Sequence, residues 1–302
     1  MPFTLAECEK MASALGMVVS RYQVLQYYMA LGGVPYYWNY LQRGLSVAQN
    51  MDALFFAEDA RLAGEFQDLY SSLFAKEGPY VQIVTALGTK RMGMTRNELS
   101  EATKLANSGT LTTYLEELEQ CGLLRRYRVP GKNSREALYQ LIDNYSLFYF
   151  KFIRENSEQD TSFWTTSIDS RLLTTWQGLA FEMVCLQHIA SMKRALKIEG
   201  VHSAVYAWQN MPSKTKDGAQ IDLVIDRNDG IVNLCEMKFA SDKYVLTAKD
   251  NEAMHAKKEA LARNVSARKS IHITYVTSFG LAHNDYWNNV QYEITLDDLF
   301  RE

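Results

Sequence analysis

Two short runs of this chain read as β-strands, and both carry charge where a core strand should have none. In Ile221-Asp222-Leu223-Val224-Ile225-Asp226 the two-residue alternation puts Ile221, Leu223 and Ile225 on one face and Asp222, Val224 and Asp226 on the other. In the next run, Val232-Asn233-Leu234-Cys235-Glu236-Met237-Lys238-Phe239, Glu236 and Lys238 share a face with Val232 and Leu234. Charges removed from water cost several kcal/mol unless they are paired or bind a metal. A chain built this way must therefore fold so that the charges meet partners, and a site is the economical explanation.

A third carboxylate belongs with them. In a helix expected from about Trp176 to Leu196, Glu182 falls within the apolar stripe Leu179, Met183, Leu186 and Ile189 rather than on the solvated side. Helix, first strand and second strand each offer one carboxylate, the ligand type that hard Mg²⁺ (or Mn²⁺) prefers. Lys238, two residues after Glu236, shares its face and is placed to orient or help deprotonate an attacking water.

The rest of the sequence frames this site. From Leu5 to about Ala75 apolar residues recur at helical intervals, as in Leu54, Phe55, Leu62, Phe66, Leu69 and Leu73, which predicts a helical subdomain over residues 1–77. Inside it, Leu31-Gly32-Gly33-Val34-Pro35-Tyr36-Tyr37 ends one helix at the glycines and opens another with proline in its first turn. Residues 78–155 read as a winged helix and a connecting helix. Its first helix runs from Tyr80 to Leu87, Thr95-Arg96-Asn97-Glu98 is a capping box opening the second, and a third carries Leu111, Leu115 and Leu118 until Gly122. A hairpin follows, Leu123 to Val129 and Ala137 to Ile142 about the turn Pro130-Gly131-Lys132-Asn133. An aromatic helix from Tyr145 to Glu155 leads to the polar stretch 156–162, the expected linker. Residues 163–302 then give the order αβββαβ with one added strand: the helix holding Glu182, strands near Ala204, Ile221 and Val232, a charged helix from Lys249 to Asn264, and strands near Ile271 and Gln291. The fold class is multidomain α+β.

The aspartate, the thirteen residues after it, and Glu236-Met237-Lys238 following a hydrophobic strand resemble the PD-(D/E)XK nuclease superfamily. That resemblance implies that Asp222 and Glu236 hold the metal, that Lys238 assists the attacking water, and that Glu182 completes the set. Ile221 stands where the proline of the motif's name would be. A second resemblance covers nearly the whole chain. Pro2-Phe3-Thr4-Leu5-Ala6-Glu7-Cys8, the Gly32-Gly33 segment, the winged helix and Tyr139-Gln140-Leu141-Ile142-Asp143-Asn144 are similar to the archaeal-type AAA ATPase family with a nuclease-like C-terminal domain. It implies that residues 1–77 are the helical lid following an ATPase core, and that the chain is the C-terminal part of that architecture in truncated form. No GxxxxGK(S/T) is present, so this chain offers no ATP site and no ATP turnover is expected of it alone.

Other features constrain partners. The net charge of −3 gives no whole-chain basicity, so any DNA surface must be local. The third helix of the winged helix presents Glu116, Glu117, Glu119 and Gln120, whereas Arg125, Arg126, Arg128 and Lys132 cluster in the hairpin and could hold a phosphate backbone. An ordinary solvated hairpin accounts for the same residues. Lys249, Lys257, Lys258, Arg263, Arg268 and Lys269 give the late charged helix and its exit a basic side. Cys8, Cys121, Cys185 and Cys235 show no CxxC spacing and the histidines no paired ligand spacing, so neither disulfide nor zinc is indicated. No apolar run approaches the roughly 20 residues of a membrane span, and a cytoplasmic protein is expected.

Two functions from different classes follow. One is a Mg²⁺-dependent or Mn²⁺-dependent DNA phosphodiesterase using Glu182, Asp222, Glu236 and Lys238. The alternative is a non-catalytic module that binds DNA or docks a partner, such as an ATPase core.

Overall fold

The structure, a computed structural model, describes residues 2–128, 136–154, 160–210 and 219–301. It is a mixed α+β molecule that divides into two compact units, Met1–Arg126 with Asn133–Val184, and Tyr127–Lys132 with Cys185–Glu302.

The first unit begins with helices whose starts are chemically marked. Thr4, Ser20 and Ser46 each close a capping box, opening α1 (Leu5–Ala14), α2 (Arg21–Leu31) and α4 (Val47–Phe55). The run expected to be helical throughout is thus broken into short helices. Gly32, at φ +60°, ends α2, and Pro35 opens α3 (Pro35–Trp38). A side chain at Gly33 is impossible without rearrangement, because its Cβ would lie 1.9 Å from the Phe3 carbonyl oxygen. Phe3 N–H donates to the Gly33 carbonyl at 2.7 Å, so the Gly-Gly step fastens the N-terminal segment.

After α5 (Glu65–Leu73) come α6 (Gly78–Gly88), β1 (Met94–Thr95), α7 (Arg96–Thr103), α8 (Gly109–Gln120), β2 (Leu124–Tyr127) and β3 (Leu138–Leu141). The strands form a three-stranded sheet in the order β1-β3-β2. The expected turn about Pro130 to Asn133 lies outside the described residues, as does the part of the expected linker up to Gln159. Beyond it, α10 (Phe163–Thr166) is tied to α4: the Trp164 and Thr165 amides donate to the Asp52 carboxylate at 2.7 and 3.0 Å.

The aromatic segment is α9 (Asn144–Phe148) continued by one π-helical turn, Tyr149–Ile153, in which Arg154 N–H reaches the Tyr149 carbonyl at 2.9 Å. It packs as core rather than as a surface for bases. Phe148 is fully buried, with ring centroids of Phe55, Phe152, Trp164 and Trp176 between 4.5 and 5.5 Å away.

The expected long helix is two, α11 (Arg171–Gln187) and α12 (Ile189–Ala195), separated at His188, whose amide bonds the Cys185 carbonyl at 3.1 Å. The second unit is a five-stranded mixed sheet in the order β4 (Ser203–Asn210), β5 (Ala219–Arg227), β6 (Ile231–Lys238), β7 (Ser270–Thr277), β8 (Tyr292–Thr295). β4, β5 and β6 pair antiparallel, whereas β7 is parallel to both β6 and β8. The parallel step from β6 to β7 needs a crossover, supplied by α13 (Ala248–Ala262). Short α14 (Leu296–Leu299) closes the chain. Among the described residues no helix is long and apolar enough to cross a membrane.

Replacing Phe148 by alanine empties the centre of the aromatic cluster. The expected loss is about 3–5 kcal/mol, read from the denaturant midpoint; a loss below about 1 kcal/mol would show that the cluster is not a tightly packed core.

Candidate functional site

The second unit gathers charge on the central strand β6. Its registers run Leu223 to Cys235 and Val224 to Leu234 across β5, and Glu236 to Tyr275 and Lys238 to Thr277 across β7. The pairing ends at Leu223 and Cys235, and Asp222 and Glu236 are the next residues beyond it on their strands. Ile221, Leu223 and Ile225 are buried, as alternation predicts; on the other face Asp222 and Asp226 are half-buried, but Val224 between them is buried too.

Glu236 is gripped from two sides. Its Oε1 lies 2.9 Å from Lys238 Nζ, and its Oε2 accepts from Lys257 Nζ at 2.6 Å. The three side chains retain 14, 30 and 20% of their exposure, respectively, so water screens the triad only in part. Burial pushes the Glu236 carboxyl up, but the two ammonium groups outweigh it and hold the carboxyl below the ordinary carboxylate range. Lys238 mirrors this: burial pulls its ammonium down, and the charge of Glu236 raises it above the usual lysine range.

Around the triad lies a second polar layer. Asp250, in the first turn of α13, accepts from Thr247 N–H at 3.0 Å and from Tyr244 Oη–H at 3.1 Å. Burial pushes its carboxyl up, but these bonds and the nearby Lys238 hold it low. Tyr244 and Tyr275 are both pushed up, first by burial. Further along β5, Asp226 is bound by Lys269, which also donates to the Arg227 carbonyl at 2.7 Å. Two lysines of the expected basic surface, Lys257 and Lys269, are therefore turned onto the sheet as counter-ions.

Of the residues singled out in the sequence, Glu236 and Lys238 pair on β6, and Asp222 lies on the adjacent strand β5. Asp222 accepts from the Gln220 side chain at 2.9 Å. Glu182 belongs to the first unit, where its carboxylate, with 13% side-chain exposure, is bound by Arg91. Its neighbour on the expected stripe, Leu179, is 38% exposed. Among the described residues no group of three His, Cys, Asp or Glu side chains is gathered closely enough to hold a metal ion.

The hairpin arginines divide. Arg125 is half-buried and donates from Nε to Gln140 Oε1 at 2.6 Å, while Gln140 Nε2 donates to the Arg91 carbonyl at 2.7 Å. Arg126 and Arg128 are exposed, with the Arg126 guanidinium 5.8 Å from the Tyr139 ring centroid. Lys132 lies outside the described residues.

Sequence reasoning missed Lys257 as a site residue, though a signal was present. Met254, Lys257 and Leu261 follow helical spacing on α13, and both flanking residues are buried, so Lys257 sits in the stripe that meets the sheet. Tyr244 and Asp250 were missed for a different reason: they come from a loop and a helix cap, neither of which has a periodicity to read.

Glu236→Gln should remove the anion shared by the two lysines and cost about 1–3 kcal/mol, measured in chelator so that no metal contributes. Because the folded carboxyl is held low, the wild-type advantage is complete above the unfolded carboxyl's pKa and fades as pH falls through the folded value. An advantage that instead grew on acidification would contradict the triad.

No family model and no curated protein matches the chain. Among solved structures it is similar to the crystal structure of protein VC1899 from Vibrio cholerae, at 10% identity and a TM-score of 0.29, with 99% of this chain aligned. The alignment spans 59% of that protein's length, and likeness at this level carries no argument about fold or activity.

Proposed function

We propose that the second unit is a PD-(D/E)XK nuclease-like domain and acts as a divalent-metal-dependent phosphodiesterase on DNA. The observation that supports this best is the half-buried Glu236–Lys238 pair on β6, beside the strand that carries Asp222. Carboxylate oxygens at such a point fit a hard cation by donor type. Asp222 and Glu236 would hold it, as the superfamily resemblance implies. Mg²⁺ or Mn²⁺, when bound, supplies polarisation of the scissile phosphate and acidifies a water. Lys238 then orients that water and balances charge building on the phosphate oxygens.

The test is cleavage of single-stranded, duplex and branched DNA with Mg²⁺ or Mn²⁺. Lys238→Met should lower the rate by about 10²–10⁴ with divalent-ion affinity retained, whereas Asp222→Asn should abolish ion binding measured by calorimetry. Absence of cleavage on every substrate, with either ion, would overturn the catalytic reading.

A second reading, a non-catalytic DNA-binding or partner-docking module of an ATPase, is favoured by one observation: both oxygens of Glu236 and the carboxylate of Glu182 already have cationic partners within the protein. It predicts DNA or partner binding without cleavage, and the same assay separates the two.

Residues 78–142 are, on either reading, a winged helix whose hairpin presents the exposed Arg126 and Arg128, and the chain is the C-terminal part of an AAA-type ATPase architecture, with the ATPase core as a partner. Arg126→Ala and Arg128→Ala should weaken DNA binding uniformly across sequences and each flatten the salt slope by about 1. Arg125→Ala should lower stability instead, since its guanidinium is bonded to Gln140. Sequence-selective loss at Arg126 would count against a backbone contact.

A further inference from the structure

The first unit contains a cleft of about 370 Å³, within the size range of small-molecule sites. Its walls are apolar, with Leu87, Leu141, Phe150, Trp176, Ala180 and Met183 among them. Lys90, Arg91, Lys151 and Arg154 line it as well, and among the described residues no aspartate or glutamate does. Lys90 pairs with Glu98 and Arg91 with Glu182. Arg154 lies over the Phe150 ring at 4.8 Å, and Lys151 is exposed, with no ion pair among the described residues.

The cleft is built around an irregularity. Phe150 and Lys151 belong to the π-helical turn Tyr149–Ile153, and Arg154 follows it directly. Such turns insert an extra residue into a helix and recur at functional sites. Gly88, across from it, has no side chain, and a Cβ there would come within 2.7 Å of the Phe150 ring. An ordinary core would fill this space, and an ordinary surface would not line it with tryptophan and methionine. A nucleic-acid backbone would need cations along an open surface, whereas these surround an apolar cleft.

We infer that this cleft binds an amphipathic anion, an apolar chain or ring bearing one carboxylate or phosphate group. The apolar body lies against Trp176 and Met183, and the head group is met by Lys151 and Arg154. Charge selects the ligand class: a cation finds no lining carboxylate among the described residues, and a neutral compound leaves the lysine without a partner there.

Calorimetric titration of the full chain with decanoate, decyl phosphate and decanol tests this. Saturable binding of either anion at one site, about tenfold tighter than decanol, is expected, and the preferred anion identifies the head group. The double variant Lys151→Glu with Arg154→Glu changes exposed residues only and should erase the preference at an unchanged melting temperature. Ala180→Phe should block all three compounds by filling the cleft. Equal affinity for decanol and both anions, no saturable binding at millimolar concentration, or a preference that survives the double variant would overturn the inference.

Discussion

A carboxylate on the central strand of a five-stranded sheet cannot remain uncompensated, and the arrangement of the second unit follows from that constraint at Glu236. Moving one ion out of water costs several kcal/mol even after relaxation. Lys238 offsets part of this from the same strand, two residues on, and Lys257 offsets the rest from α13. The second contact has a structural consequence. It fixes the rotation of the crossover helix, because Lys257 reaches Glu236 only when the Met254–Leu261 stripe faces the sheet. Hydrophobic burial and charge pairing thus specify the same orientation, and agreement of that kind between levels favours a single packing over alternatives.

The same helix is held a second time at its start. Asp250 closes the capping box with Thr247 and receives the Tyr244 hydroxyl, so the loop after β6 and the first turn of α13 are set together. The bonds from Thr247 and Tyr244, and after them the charge of Lys238, hold the Asp250 carboxyl low despite partial burial. The polar face is therefore a connected network rather than a set of separate pairs, and removing one member leaves the others undersatisfied.

Much of this was legible because a strand's period of two is unforgiving. Ile221, Leu223 and Ile225 on one side, with Asp222 and Asp226 on the other, admit only one facing once the sheet has a buried side. The capping box at Thr95 was equally plain. What escaped was what depends on tertiary contact. The two-residue β1 has no periodicity, and exists because Met94 and Thr95 pair with Tyr139 and Leu138. The π turn at Tyr149–Ile153 and the break at His188 lie within sequences that read as uninterrupted helix, since a helical pattern cannot report a local change in its own hydrogen bonding. The hairpin shows the same limit for charge. Four cations near one turn look equivalent in the sequence, yet Arg125 spends its guanidinium on Gln140 while Arg126 and Arg128 face solvent.

That limit bears on how the site reading should be understood. A motif of the form D-x(13)-ExK specifies where carboxylates and a lysine stand, but not what they bind. In this chain the motif's glutamate has an added partner that the motif does not include. Asp222 and Glu236 would have to hold a divalent ion while Lys257 already bonds the Glu236 carboxylate, and like charges repel. On the proposed catalytic reading, Lys257 would therefore have to give up that bond. On the non-catalytic reading, Lys257 stands permanently where the ion would be, and the triad serves only to hold α13 on the sheet. The two readings share every contact in the structure and differ in one quantity, the free energy of Lys257 at Glu236 relative to that of a hydrated divalent ion.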